Sequence, residues 1–385
     1  MIVYPDIVRF IKSLAPLLRK TQLVNLALLA SAIILRRSLC LSELARAYTT
    51  PEKHCYRLKR LWRFLDNLKV DFSLIRQRLT ILSYSIETSP GLFLPLLMDT
   101  TYFEPYAVLS ISIPRGGRAL PVAWDAYYHK FDKVDKTLRA ESQNQREEAL
   151  IASCLRQIAR GIKAVLIGDR AFGRASLFSF LKERGTHFVI RVSDKVYVSH
   201  PYFGGLLHDL PLKVGQRIWL EGLLYRQDRV VKINLLAIWG IGQKEPWYLA
   251  TTLSDPNLVY RFYRKRMKIE HGFRDWKYHL RLKIPQSRFV RAEHRAKMLV
   301  NAVVIAYWFI CLVGIKAKVR NLKAKVASWG EISFFRLALE LVSSGRLYPP
   351  WVSRVLDWVA DKLLPFQPLL TYWQHQYQRR LVKSG

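Results

Sequence analysis

Residues 253–281 read LSDPNLVYRFYRKRMKIEHGFRDWKYHLR. Asp255 followed by Pro256 is a typical helix start, because an Asp side chain caps the first turn and proline tolerates the first helical position. The pattern predicts one helix that runs past Lys277. At about 100° per residue, one stripe of this helix is apolar and consists of Phe262, Ile269, Phe273, Trp276 and Leu280. We therefore expect this helix to pack against a core.

A second stripe lies directly beside the apolar one. Tyr263, Arg266, Glu270 and Lys277 fall within about 60° of one another on the same helix. Lys and Arg on a helix are often only solvated, but an ordinary solvated face would scatter its charges. This stripe instead places a single carboxylate among a hydroxyl and two cations at the edge of a core face. The arrangement favours a functional interpretation.

The charge of the whole chain is strongly positive. Among 385 residues there are 62 Lys and Arg against 29 Asp and Glu, which gives a formal net charge of +33. With half of the residues hydrophobic, the chain is globular and not disordered. The charge predicts a polyanionic partner, most of all nucleic acid, with a basic ribosome-like or membrane-surface protein as the alternative. The four cysteines have no CxxC spacing, which fits a reducing cytoplasm.

Residues 298–315 form an apolar run of minimal membrane-spanning length. Asn301 interrupts the run, and basic residues flank both of its ends. A buried core helix explains these features better than a membrane span. We therefore expect no membrane partner.

Residues 1–90 are predicted to form a helical, DNA-binding domain. Two short helices joined by a tight turn suggest a helix-turn-helix, and a plain helical bundle with a solvated basic face is the alternative. In the first interpretation the second helix presents four cations to DNA: Arg57, Lys59, Arg60 and Arg63.

From residue 91 the pattern changes to that of an α/β domain. The apolar run Leu92–Met98 is followed by Asp99, and the run Lys163–Gly168 is followed by Asp169. Both runs are typical of buried strands with a carboxylate at the tip. Two further strands follow the first run, and helices precede and follow the second. This order predicts a ribonuclease-H-like catalytic core with its site at the strand ends.

Further boundaries follow from the same patterns. Residues 91–193 are the first part of the core, residues 194–253 a β-rich insertion, and residues 254–318 the second part of the core. Residues 319–385 are basic and are predicted to be helical, with dimerisation as a suggested role. The fold class is therefore α/β, with helical regions before and after the core.

Three acids from distant parts of the chain stand out as a catalytic set: Asp99, Asp169 and Glu270. A single Asp at a strand end is more often a cap or a turn residue. Three acids in this topology on a basic chain instead indicate phosphodiester cleavage, in which hard carboxylate oxygens hold two Mg²⁺ ions about 3.5–4 Å apart.

The same residues resemble those of a known family. Tyr263, Arg266, Glu270 and Lys277, separated by two, three and six residues, match the Y-R-E-K signature of the insertion-sequence-four transposases, a DDE family with ribonuclease-H-like cores. Two further segments resemble the settings of the family's catalytic aspartates: Asp99-Thr100-Thr101 and Asp169-Arg170-Ala171-Phe172. Trp247 resembles the family tryptophan that stacks on a flipped base, although a core role is as well supported.

The resemblance implies cut-and-paste DNA transposition catalysed by Asp99, Asp169 and Glu270, with two Mg²⁺ ions that Mn²⁺ could replace. Tyr263, Arg266 and Lys277 would hold backbone phosphates. The partners would be transposon ends, target DNA and a second copy of the chain, in the nucleoid of a prokaryotic cytoplasm. Two alternatives remain: a structure-specific endonuclease on the same fold, and a catalytically silent DNA-binding descendant of a transposase.

Overall fold

The computed structural model describes residues 3–86, 93–103, 105–129, 143–158, 161–226, 229–281, 292–319, 333–344 and 349–363. The N-terminal part is helical, with α1 (Tyr4–Leu14), α2 (Lys20–Arg36), α3 (Leu41–Ala47), α4 (His54–Leu65) and α5 (Ser73–Ile86). Helices α3 and α4 are the two short helices that the sequence predicts there. They pack against each other and against α2.

A single ten-stranded sheet forms the centre of the molecule. Its strands are β1 (Phe93–Phe103), β2 (Tyr106–Arg115), β3 (Arg118–Tyr128), β4 (Lys163–Gly168), β5 (His187–Arg191), β6 (Tyr197–His200), β7 (Phe203–Leu206), β8 (Arg217–Arg226), β9 (Val230–Ile238) and β10 (Trp247–Thr251). In space they follow the order β3-β2-β1-β4-β5-β10-β9-β8-β6-β7. Strands β1, β2 and β3 are an antiparallel meander, and β4 and β5 run parallel to β1. This is the predicted ribonuclease-H-like α/β fold.

Helices cover both faces of the central strands. They are α6 (Gln143–Leu155), α7 (Ala175–Glu183), α8 (Pro256–Arg264), α9 (Met267–Arg274), α10 (Ala292–Val319), α11 (Phe334–Ser343) and α12 (Val355–Leu363). Nine successive residues of β2, from Tyr106 to Pro114, are buried. Since successive side chains of a strand point to opposite faces, β2 must be covered on both sides.

The prediction of one continuous helix from Pro256 past Lys277 is wrong, because the helix is interrupted twice. Helix α8 ends at Arg264, α9 starts at Met267, and one π-helical turn follows from Asp275 to His279. The N-terminal start is as expected, because the Asp255 side chain accepts a hydrogen bond from the Asn257 N–H at 2.8 Å. The two interruptions change the angular relation between residues before and after them.

The segment between β5 and α8 adds five strands to the same sheet. Strand β10 pairs antiparallel with β5, so the added strands extend the central sheet and do not form a separate layer. The short strands β6 and β7 are not predicted by the sequence pattern. Burial alternates along β8, which therefore has one face toward solvent.

Helix α10 is the long apolar helix of the core. By length and composition its residues Ala292–Ala317 could cross a membrane, yet 94% of the most apolar window is buried inside the protein. Its polar residue Asn301 accepts a hydrogen bond from the Trp124 indole at 2.8 Å. The Trp308 indole donates to the Pro121 carbonyl oxygen at 2.7 Å. These contacts fit α10 to the sheet as a core helix.

Gly314 allows α11 to pack closely on α10, and this contact can be tested. A Cβ atom at position 314 would lie 2.3 Å from the carbonyl oxygen of Phe334. Because that obstacle is backbone, we expect Gly314→Ala to lower the free energy of unfolding by about 1–3 kcal/mol. Gly204→Ala is the control, since its nearest neighbour is the Tyr197 hydroxyl at 4.0 Å. Denaturant unfolding of both variants provides the measurement. Equal stability of G314A and G204A would contradict the close packing.

Candidate active site

Strand register places two of the predicted acids side by side. In the parallel ladder of β1 and β4 the last pair is Leu97 with Ile167. Asp99 and Asp169 each follow two residues later, so they lie at the same level and on the same face. Strand β1 continues to Phe103, so Asp99 lies within the strand and not at its end as predicted. It is at the end of the parallel pairing with β4.

The same face carries two further side chains on the neighbouring strands, Arg191 and Trp247. His187 at the start of β5 packs edge-on against Phe93 of β1, with ring centres 5.5 Å apart, and Arg191 lies on the same side of β5 as His187. Arg191 pairs with Leu249 of β10, and alternation places Trp247 on that side as well. The face thus carries, strand by strand, Asp99, Asp169, Arg191 and Trp247.

A tight turn after β4 fixes Asp169. The Asp169 carboxylate accepts a hydrogen bond from the Ala171 N–H at 2.9 Å, which caps a short 3₁₀ helix from Arg170 to Phe172. A Cβ atom on Gly168 would lie 3.1 Å from the Phe172 ring, so glycine leaves room for that ring to fold under the turn. The turn leaves Asp169 partly exposed and facing the other acid.

Helices α8 and α9 cover this face and bring in the third acid. Phe262 of α8 packs edge-on against Phe93 of β1 at 6.2 Å between ring centres, which fixes α8 above the acids. Arg266, in the break between α8 and α9, donates a hydrogen bond to Glu270. The same guanidinium lies 3.7 Å from the Asp99 carboxylate. Arg266 thus bridges Asp99 and Glu270.

The three carboxylates influence one another electrostatically. Burial first, and then the negative charges of Asp169 and Glu270, raise the pKa of Asp99 to about 6 against the opposing effects of the Thr100 N–H and Arg266. An acid in such a setting loses its proton only at a free-energy cost. The fold therefore holds repelling charges together.

The donor set suits a divalent metal ion. Three carboxylates supply hard oxygen ligands, and a cation among them would relieve the repulsion that raises the pKa of Asp99. Within the described stretches, no three Asp, Glu, His or Cys side chains converge as a preformed metal site. Arg266 provides positive charge between Asp99 and Glu270 in the present arrangement.

Tyr263 and Trp247 form an aromatic contact beside the acids. Their rings meet edge to face with centres 5.0 Å apart. Tyr263 is buried, and this burial raises the pKa of its hydroxyl against the opposing charges of Arg266 and Arg191. Trp247 is partly buried. The structure thus brings Trp247 to the site through Tyr263.

Lys277 stands apart from its three partners in the predicted stripe. Lys277 is the middle residue of the π-helical turn, and its side chain is exposed. It forms no ion pair with Asp99, Asp169 or Glu270. Its ammonium lies 5.7 Å from the centre of the Phe103 ring, at the far end of β1. A role for Lys277 in binding phosphate stays a prediction.

An arginine pair beside the acids was not predicted. The Glu245 carboxylate accepts hydrogen bonds from Arg170 and Arg191, each at 2.7 Å. Arg170 directly follows Asp169, and Glu245 lies two residues before Trp247. A signal for Arg191 was present in the sequence, because it ends an apolar strand run in the same way as the acids do.

Two buried ion pairs outside the acid cluster hold the elements that carry it. Arg118 at the start of β3 donates to Asp275, which directly follows α9 and has only 1% of its side chain exposed. Burial raises the pKa of Asp275 to about 6, although Arg118 opposes the shift. Arg174, just after the Asp169 turn, pairs with Glu147 of α6, whose side chain is 2% exposed. Breaking either pair would leave a buried charge.

The four cations predicted for DNA contact on α4 have different surroundings. Arg57 donates to the carbonyl oxygens of Tyr48 and Thr50 and so fixes the connection from α3 to α4. Arg60 donates to Asn25 at 2.7 Å. Lys59 and Arg63 are exposed. The first two have structural contacts, and DNA binding by any of the four stays a prediction.

Comparison with known protein families supports one class of enzyme. Residues 134–309 match the family model described as "Transposase DDE domain". This segment covers less than half of the chain and includes Asp169 and Glu270, while Asp99 precedes it. No curated protein matches the chain. Together with the ribonuclease-H-like sheet, the match supports a DDE transposase, an enzyme class that acts on DNA and generally uses divalent metal ions.

The raised pKa of Asp99 has a measurable consequence for stability. Folding lifts this pKa from 3.8 to about 6, so the ionised carboxylate destabilises the folded state above pH 6. We expect Asp99→Asn, without divalent metal, to be more stable than the wild type at pH 7.5 by up to about 3 kcal/mol. The difference should disappear as the pH falls toward about 4. Denaturant unfolding across this pH range is the measurement. If Asp99→Asn were no more stable than the wild type at pH 7.5, the assigned electrostatics would be contradicted.

Proposed function

We propose that the chain is a transposase of the insertion-sequence-four type. It cleaves the ends of its own element by Mg²⁺-dependent phosphoryl transfer and joins them to target DNA by cut-and-paste. The observation that carries this proposal is the register of β1 and β4, which aligns Asp99 with Asp169 beneath the helix of Glu270. Tyr263, Arg266 and Glu270 of the family signature lie together at that point.

The three carboxylates are the proposed metal ligands. When bound, Mg²⁺ supplies Lewis-acid activation of the attacking hydroxyl and neutralises charge at the phosphate, and Mn²⁺ would serve in its place. Asp99 and Asp169 are held by adjacent strands and Glu270 by a helix, so the ligands rest on rigid elements. The Arg118–Asp275 ion pair holds the helical segment of Glu270 in place. The Arg174–Glu147 ion pair does the same for the turn of Asp169.

Tyr263 and Arg266 are the proposed phosphate-binding groups beside the ligands. A guanidinium binds two phosphate oxygens at once, and a hydroxyl adds a third hydrogen bond. Arg266 contacts Asp99 and Glu270. A metal ion held by these carboxylates would supply the positive charge that they need and would leave the guanidinium free to bind a DNA phosphate. Trp247, in contact with Tyr263, is proposed to stack on a base extruded near the cleaved end.

The biological setting follows from the same proposal. We place the protein in the nucleoid of a prokaryotic cytoplasm, acting as a homodimer that holds two transposon ends and then the target DNA. The net charge of +33 supports a DNA partner. Helix α4 supports it as well, since Lys59 and Arg63 are exposed there.

Loss of any one acid should abolish cleavage. We expect Asp99→Ala, Asp169→Ala and Glu270→Ala to lose Mg²⁺-dependent cleavage of the element's ends, because metal binding is lost, while DNA affinity changes little. Asp255→Asn is the matched control, since asparagine retains the helix cap and lies outside the acid cluster. Gel assays of nicking and joining, with anisotropy for DNA binding, provide the measurements.

The outcomes separate the competing functions. Substantial cleavage by any one alanine variant would contradict the three-acid site. Cleavage by the wild type without joined products would identify a structure-specific endonuclease on the same fold. DNA binding without cleavage in either Mg²⁺ or Mn²⁺ would identify a silent DNA-binding protein. A rise in the wild-type melting temperature with Mg²⁺, absent in the alanine variants, would show metal binding independently of activity.

Trp247 distinguishes a base-stacking role from a packing role. Stacking is worth about 1–3 kcal/mol per base, so Trp247→Ala should slow the step after the first nick by roughly 5–150-fold. First-strand nicking should hardly change, because the acids are untouched. Trp247→Phe, which retains a stacking face, should lose less. Time courses on intact and pre-nicked ends, with a melting curve for each variant, provide the measurement. Equal loss in both steps with a lowered melting temperature would assign Trp247 to the core.

A further inference from the structure

An arginine-lined cavity lies where the ends of α2 and α3 meet Arg281, which follows the π-helical turn after α9. None of the three acids lines it. Its volume is about 590 Å³. Its lining consists of Arg36, Arg37, Ser38, Glu43, Arg46 and Arg281. Four cations thus share this cavity with a single acid. We name it the arginine cavity.

Three of these arginines are available to a ligand. Arg36 in the last turn of α2, Arg46 in the last turn of α3, and Arg281 are exposed. None of the three forms an ion pair within the part of the chain that the structure describes. Arg37 differs, because its guanidinium lies 3.3 Å from Glu340 and 3.1 Å from the Ser343 hydroxyl of α11. Arg37 therefore fixes the wall of the cavity.

The backbone at two of these arginines is unusual. Arg37 and Arg281 both have φ of 51°, and every other described residue with positive φ is a glycine. Both residues follow a helical segment, where glycine would adopt this conformation without strain. An arginine there costs about 1 kcal/mol or more and needs a compensating gain. Both residues line the same cavity.

The surroundings of the cavity are positive as well. His279, two residues before Arg281, has a lowered pKa, first because of burial and then because of the charges of Arg336, Arg118 and Arg37. Glu340 opposes this shift. Cations at the ends of α2 and α3 also complement the helix dipoles, but that role needs no shared cavity. The excess of positive charge calls for an anionic ligand.

We propose that the arginine cavity binds backbone phosphates of duplex DNA, at a point between the N-terminal helices and the segment that carries Glu270. Taking DNA as the ligand, we rest this inference on the proposed function. Guanidinium groups suit phosphate oxygens through paired, charge-assisted hydrogen bonds. Glu43 faces the same phosphate and weakens its binding.

Neutralising the cavity should weaken DNA binding and its salt dependence. We expect the triple variant R36Q/R46Q/R281Q to bind a fluorescent duplex at least about tenfold more weakly at 100 mM salt. The log–log salt slope should fall by about 1–3, since each lost phosphate contact contributes about 0.9. The control R156Q/R226Q/R354Q removes three exposed arginines outside the cavity and should change both quantities less. Anisotropy titrations at several salt concentrations give both quantities.

Two single variants test the site by the sign of their effects. Glu43→Gln should strengthen DNA binding severalfold, whereas Glu183→Gln, another exposed acid, should not. Arg281→Gly relieves the strained backbone, so it should weaken DNA binding without lowering the melting temperature. A merely structural Arg281 would instead lose stability and leave DNA affinity unchanged.

The failure of this inference and that of the proposed function are distinguishable. If the wild type binds DNA and the cavity triple variant has the same affinity and slope as the control triple, the cavity is not a phosphate site and the transposase proposal is unaffected. If the wild type binds no DNA, the proposed function itself is wrong, and the cavity loses its ligand with it.

Discussion

The carboxylates of Asp99, Asp169 and Glu270 repel one another, and the fold holds them together against this repulsion. Strand register places the first two at one level, and Arg266 joins the third to Asp99. Burial first, and then the charges of Asp169 and Glu270, raise the pKa of Asp99. Much of the surrounding structure can be understood as support for this charge cluster, because a loose scaffold would relax by moving the acids apart.

Support comes from buried ion pairs at two points, the turn after β4 and the end of α9. Arg174 with Glu147 fixes the turn of Asp169, and Arg118 with Asp275 fixes the helical segment of Glu270. Each pair ties its element to a different part of the core, α6 in one case and β3 in the other. Buried pairs add little net stability, but their directional hydrogen bonds specify position. Position is what the proposed metal-binding set requires.

The strands around Asp99 and Asp169 were predictable because apolar runs ending in an acid have a local pattern. The grouping of Arg266 with Glu270 was predictable from helical spacing, because α9 continues without a break from its cap residue Arg266 to Glu270. Tyr263 lies before the break, at the end of α8, and reaches the same site. The break at Arg266 and the π-helical turn contain no glycine or proline that would have predicted them. The prediction therefore assumed one regular helix and placed Lys277 in the same stripe as Tyr263, Arg266 and Glu270. Partner choice among strands depends on tertiary packing, and the pairing of β10 with β5 was therefore not predictable. Glu245 bears no periodic signal at all.

The distribution of charge suggests an order of events when DNA arrives. Cations at the active site are each held by an acid of the protein: Arg266 by Glu270 and Asp99, and Arg170 and Arg191 by Glu245. The exposed arginines of the arginine cavity share one acid among them. Unpaired cations attract a polyanion from a distance, whereas paired cations must first exchange their partners. DNA would thus be captured at the exposed cations and seated among the acids only afterwards, when phosphate replaces carboxylate at the active-site arginines. Until then, the arginines beside the acids stay paired with carboxylates of the protein.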